Sequence, residues 1–160
     1  MMTTACQANS DINMDGLQIS LFGKEDIPAL VEIENESFST PFKEKDFSDM
    51  LESDISDVIV IKLGDTVVGY VSFTVIIDEC QIINFATKGE HRRQGVGKKI
   101  MDALLEHCKT HGVAKVFLEV RESNIPAISL YEKYGFFKVG VSKGHFSKPR
   151  EDAVLMNLEL

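Results

Sequence analysis

Cys80 to Thr110 reads CQIINFATKGEHRRQGVGKKIMDALLEHCKT, and a change of period inside it decides the fold. The first part is β-branched and aromatic, the composition of a strand. Further on, Val96, Ile100, Leu104 and Cys108 recur in i, i+4 register, and Met101 and Leu105 widen that face. This predicts a long amphipathic helix from about Gln94 to Thr110, ended by Gly112. Between the two lies GEHRRQGVGKK. A helix start leaves backbone N–H groups without internal partners and gathers partial positive charge. Gly95 and Gly97 remove side chains that would keep an anion from those donors, and Arg92, Arg93, Lys98 and Lys99 add fixed charge. Residues 88–99 hold five basic groups against one acid, Glu90, while the rest of the chain has 12 basic and 24 acidic. That concentration suggests a pyrophosphate site. The Walker pattern G-x-x-x-x-G-K-[ST] is absent, and G-x-G-x-x-G fails because position 100 is Ile100. A basic surface loop that merely caps a helix fits the same residues, so the loop alone leaves both readings open.

Working outward, VIVIKL from Val58, TVVGYVSFTVII from Thr66 and CQIINFAT from Cys80 predict three successive antiparallel strands. Gly64-Asp65 and Asp78-Glu79 supply the turns. Upstream, Leu17 to Leu21 alternates as a strand. Ile27, Leu30, Val31, Ile33 and Phe38 form a helical stripe with Pro28 in its first turn, broken by Pro41. A short helix over Lys43–Leu51 is expected to turn Phe47, Met50 and Leu51 inward. Downstream come the strand KVFLEV, a helix from about Ile125 to Tyr134 closed by Gly135, and strands near Phe136–Val141 and Ala153–Leu158. The order βααβββαβαββ, without repeat or linker, predicts one α+β domain over 16–160. Residues 1–15 are polar and aperiodic and are expected to form a disordered tail.

The chain has 160 residues, 44% hydrophobic and 26% charged, the balance of an ordinary globular domain. A net charge of −8 argues against a surface that grips nucleic acid or anionic lipid throughout. No apolar run approaches the roughly 18 residues of a membrane span, and the N-terminal segment has neither the basic start nor the apolar stretch of a signal peptide. Cys6, Cys80 and Cys108 are odd in number and widely spaced, which reads as reduced thiols of a cytoplasmic protein and not as a disulfide framework or metal site.

R-x-x-G-x-G at Arg92–Gly97, followed by LEVRESNIPAISLYEKYGF at 118–136, closely resembles the GNAT N-acetyltransferases that use acetyl-CoA. EIENESFSTPFKEKDF near the start, the LEVR-x-SN-x-x-A-x-x-LYE-x-x-GF stretch and the late REDAVLM resemble the ribosomal-protein-alanine (RimI-type) branch. The resemblance runs from about residue 17 to the end. It implies the GNAT (acyl-CoA N-acyltransferase) fold: a mostly antiparallel mixed sheet, a splayed parallel pair at the cofactor site, and about four flanking helices. It also implies that the pantetheine arm lies along the backbone of Phe85, Ala86 and Thr87, with the pyrophosphate at Arg93, Gln94, Gly95, Val96, Gly97 and Lys98. Asn124 matches a position that contacts the cofactor arm; its spacing also suits a helix N-cap, with Pro126 just inside.

Glu119 shares one face of KVFLEV with Lys115 and Phe117. By itself it reads as a solvated strand carboxylate. The resemblance makes it a general base, which the chemistry needs because an ammonium cannot attack a thioester before losing a proton. Tyr131 reads as core packing beside Ile128; the resemblance makes its hydroxyl the proton donor to the departing CoA thiolate. Transfer would then be direct, without an acyl-enzyme and without a metal.

Residues 32–57 carry nine acidic and two basic groups, a solvated helix face that could also steer a basic protein N-terminus. Ser39, Thr40, Pro41 and Phe42 resemble the family's substrate-facing loop. One departure is clear: His145-Phe146 stands where related enzymes usually carry a tyrosine pair. The expected acceptor is the N-terminal alanine of a small-subunit ribosomal protein, with neither membrane nor direct nucleic-acid binding. Acetylation of a lysine side chain or small amine, and an acyl-CoA-sensing module without turnover, are the alternatives.

Overall fold

The central apolar runs become neighbouring strands because each has two faces to bury. Val58 and Val60 enter one core cluster while the alternating Ile59 and Ile61 enter another. The computed structural model describes residues 16–160 except Arg93. The expected tail over 1–15, Cys6 and Arg93 lie outside the described residues.

Strands β1 (Leu17–Leu21), β2 (Ser56–Leu63), β3 (Thr66–Ile76), β4 (Glu79–Thr87), β5 (Lys115–Arg121), β6 (Phe137–Ser147) and β7 (Arg150–Glu159) form one sheet in the order β1-β2-β3-β4-β5-β7-β6. Helices α1 (Ile27–Ser37) and α2 (Glu44–Leu51) precede β2, α3 (Val96–Thr110) joins β4 to β5, and α4 (Ile125–Lys133) joins β5 to β6. The order expected from sequence is therefore the order observed. Among the described strands β4 and β5 alone pair parallel, as a helical crossover requires. No helix among the described residues is long and apolar enough to cross a membrane.

Two layers of helix cover the sheet. Ile100, Met101, Leu104 and Cys108 of α3 pack with Val71, Phe73, Ile82, Val116, Leu118 and Met156 on one face. On the other, Leu30 and Ile33 of α1 and Phe47 of α2 pack with Val58, Val60 and Tyr70. The start of α3 approaches the sheet at Gly69, where a Cβ would lie 2.8 Å from Ile100 Cδ1, 2.9 Å from Val96 Cγ1 and 3.2 Å from the Ala86 carbonyl oxygen.

Three expectations need correction. Leu51 is 37% exposed and does not turn inward, because Phe47 and Met50 already fill the inner stripe of this two-turn helix. α3 begins at Val96 and not at Gln94, because Gly95 is left-handed at φ 83° and stops the helix there. The late hairpin is longer than expected, running to Ser147 and back from Arg150, since cross-strand pairing carries polar residues that have no apolar alternation.

Candidate active site

The parallel pair opens almost at once. β4 and β5 are in register only from Glu79↔Lys115 to Gln81↔Phe117. Beyond that, β4 remains paired with β3 and β5 with β7, while no register joins β4 to β5. A bulge contributes: Ser72 pairs with Asn84 and Phe73 with Ile82, leaving Ile83 as the extra residue. The extra residue changes the phase of β4, so Asn84 meets α1 and Phe85 turns toward α4.

Phe85, Ala86 and Thr87 occupy the separated end of β4. Phe85 meets Tyr131 edge to face at 6.1 Å, and Ala86 is buried against the α1 side. The Thr87 carbonyl accepts a hydrogen bond from Arg92 Nε at 3.1 Å, and Arg92 Nη2 also donates to Ser37 Oγ at 3.3 Å. Arg92 thus ties the loop to the end of α1, together with the Gly89 N–H, which donates to Glu36 Oε1 at 2.6 Å.

The first turn of α3 has an open cradle. The Lys99 N–H bonds to the Gly95 carbonyl at 3.2 Å, at a helix start, where the first backbone N–H groups of a helix have no intrahelical partner. At Gly95 nothing lies within 4 Å of a Cβ position, so an anion can approach the backbone. Gly97 differs from expectation. A Cβ there would face Leu130 at 3.5 Å and Phe85 at 3.6 Å, between helix and strand and not in the open loop. Val96 buries its side chain in the core, so only its backbone is offered to the loop. Gln94 and Lys98 are exposed; Gln94 Nε2 donates to the Glu90 carbonyl at 3.4 Å, and the Lys98 carbonyl accepts from Tyr134 Oη at 3.0 Å. Asn124 Oδ1 accepts from the Ala127 N–H at 3.3 Å, which establishes the N-cap while leaving its amide nitrogen available. The open glycine, helix start and neighbouring lysines fit a pyrophosphate, and the unpaired edge of β4 fits an extended amide arm.

Tyr131 is 6% exposed, packed between Phe85 and Phe136, and burial holds its phenol above the ordinary range. Its hydroxyl has no hydrogen-bond partner among the described residues. Glu119 lies on β5 just past the last residue in register with β4, while Val116, Leu118 and Val120 on the opposite face are buried. Its side chain is 38% exposed, and His145 Nε2 lies 3.3 Å from Glu119 Oε1. Cys80 and Cys108 are buried in the core around α3, remote from any nucleophilic role; hydrogen bonding to Cys108 and burial push the Cys80 thiol up.

Two polar hubs were not anticipated. Arg121 donates to Glu151 Oε1 at 3.0 Å, to the Pro149 and Lys148 carbonyls at 2.9 and 3.2 Å, and to Ser39 Oγ at 3.4 Å, while stacking 4.5 Å from the Phe146 ring centre. It joins β5, the late hairpin and the α1–α2 loop. Glu34, fully buried, accepts from Tyr70 Oη, from Asn84 Nδ2 at 2.8 Å and from the Phe42 N–H at 2.8 Å. The sequence carried a signal for the second: Glu34 sits on the stripe Ile27, Leu30, Phe38 where an apolar residue is expected.

A sheet whose single parallel pair splays beside a glycine-opened helix start defines an acyl-CoA-type transferase fold. Residues 27–136 match the model of the acetyltransferase (GNAT) family, and the chain belongs to that family. Ribosomal protein bS18-alanine N-acetyltransferase of Escherichia coli K12 is 31% identical over 144 residues, covering 89% of this chain and 97% of that protein. A Bacillus subtilis protein that carries the same name provisionally is 35% identical over 133 residues, 82% of this chain and 88% of its own. The crystal structure of the ribosomal-protein-S18-alanine N-acetyltransferase from Escherichia coli superimposes with a TM-score of 0.82 at 30% identity, covering 89% of this chain and 93% of that one.

Proposed function

We propose that this chain transfers an acetyl group from acetyl-CoA to the N-terminal α-amino group of a protein, in particular the N-terminal alanine of a small-subunit ribosomal protein. The observation that carries the reading is the early end of the β4–β5 ladder, with Glu119 just past it and, beside Phe85, a buried Tyr131 hydroxyl that has no partner among the described residues. The names of the relatives supply the acceptor. Backbone groups of Phe85, Ala86 and Thr87 would hold the pantetheine arm, with Asn124 alongside. Arg93, Gln94, Gly95, Val96, Gly97 and Lys98 would hold the pyrophosphate.

When bound, acetyl-CoA supplies an activated acetyl thioester. Glu119 takes a proton from the acceptor ammonium, directly or through water, freeing the nitrogen lone pair. Tyr131 stays protonated because burial disfavours its phenolate, so Oη can donate to the departing sulfur. Amine and thioester meet in one ternary complex, and no thiol of the protein is acylated. A ribosomal-protein acceptor would place the enzyme in the cytoplasm.

Release of free CoA tests the reading. An alanine-initiated peptide with a free N-terminus is expected to drive release, and the same peptide with a blocked N-terminus and no lysine is not. Release with neither would favour the acyl-CoA-sensing module.

A further inference from the structure

Among the described residues His145 is the sole partner of Glu119, although two other carboxylates stand close by on β7. Both of those are engaged. Glu151 accepts from Arg121 and from the Ser123 N–H at 2.7 Å, and these contacts, Ser123 first, hold its carboxyl below the usual range. Asp152 accepts from the Gly144 N–H at 2.8 Å and pairs with Lys143 at 3.6 Å. Arg121, the cation nearest on β5, is committed to Glu151 and the hairpin carbonyls. The groups around the His145 ring are therefore Glu119 and Arg121 from β5, Glu151 and Asp152 from β7, and Lys143 on its own strand. Of the carboxylates, only Glu119 is left for it.

The backbone is shaped to bring this pair together. Ser142 pairs with Ala153 and Phe146 with Glu151, so Lys143, Gly144 and His145 bulge opposite Asp152 alone. Gly144 adopts φ 61° at the bulge, and Asp152 closes it through the Gly144 N–H. β7 lies between β6 and β5, yet the bulge carries the ring across to Glu119. Phe146 packs edge-on to the ring at 4.8 Å and is itself covered by Arg121. Ser142 Oγ lies 3.4 Å from Nδ1. With that hydroxyl donating to Nδ1, the neutral ring carries its proton on Nε2, facing Glu119.

We propose that His145 is a positioning residue for Glu119. Its Nε2, 3.3 Å from Oε1, holds one carboxylate oxygen and leaves the other for the acceptor amine. The inference rests on the reading of Glu119 as proton acceptor.

Two variants separate the two roles. Gln places an amide N–H near the Nε2 position, while Phe removes the donor. His145→Gln is expected to keep kcat within about threefold of the parent. His145→Phe should lower kcat by about tenfold or more with the KM for acetyl-CoA unchanged. Nitrogen NMR of the His145 ring in the full chain at fixed pH should respond to Glu119→Gln. Parent-like kcat in His145→Phe, equal loss in both variants, or a ring signal indifferent to Glu119→Gln overturns the inference. Full turnover in Glu119→Gln instead overturns the underlying reading of Glu119, so the two failures are distinguishable.

Discussion

Glu119 and Tyr131 sit in opposite surroundings. Glu119 stays partly open to solvent with one imidazole neighbour, within reach of an acceptor amine in the proposed reaction. Tyr131 is sealed between two phenylalanine rings, where the neutral phenol is favoured and can donate. Replacing either should therefore change chemistry more than binding. Glu119→Gln is expected to lower kcat by about 10²-fold or more and Tyr131→Phe by about tenfold or more. Calorimetry should find acetyl-CoA affinity nearly unchanged in both. Neither proposed role was legible from the residues unaided. A glutamate on a half-exposed strand and a tyrosine on a packed helix look structural until the fold shows one past the end of a split ladder and the other buried without a partner. His145 was visible as a departure from the family pattern, but its meeting with Glu119 depends on a three-residue bulge that no periodicity announces.

At the scale of elements, what matters is how α3 is seated. Its apolar register was plain in the sequence, because four side chains four residues apart can only share a face. Its seat was not: Gly69 lies in an unbroken strand pattern, and only the fold shows Val96 and Ile100 resting on it. Gly69→Ala should push the start of α3 away from β3 and the Ala86 carbonyl, costing about 1–3 kcal/mol. Thermal unfolding should drop by several degrees, and acetyl-CoA affinity should weaken because the cradle at Gly95 moves with the helix. An unchanged Tm with unchanged affinity would contradict this seating. The acidic run over 32–57 also divides once folded. Glu34 is withdrawn into the core to tie α1 to the β4 bulge and the Phe42 backbone, while Glu36 fastens the basic loop. The remaining acids are those that could steer a basic acceptor.

Over the whole molecule, pH acts through a second histidine far from the proposed chemistry. Burial first, and the stacked His111 ring second, push His107 down to about 4 from an ordinary 6.5. The unfolded chain binds this proton at higher pH than the folded one, so the stabilisation is fully present above about 6.5 and declines as pH falls toward about 4. His107→Leu should flatten the fall of Tm across that window; an equal slope in parent and variant would remove His107 from the account. The topology that joins these regions was largely readable, since each strand and helix carries its own period. The sheet order with β7 between β5 and β6 was not, because the late hairpin is polar and its pairing is made by backbone.

The claim that binds residue, element and molecule together is acetyl transfer to a protein's N-terminal nitrogen. It is tested most directly with one peptide that offers both an N-terminal alanine amine and an internal lysine, incubated with enzyme and acetyl-CoA and fragmented by mass spectrometry. One added acetyl group is expected, carried by fragments containing the first residue, in the parent and strongly reduced in Glu119→Gln. Acetyl on the lysine with the α-amine left free would contradict it.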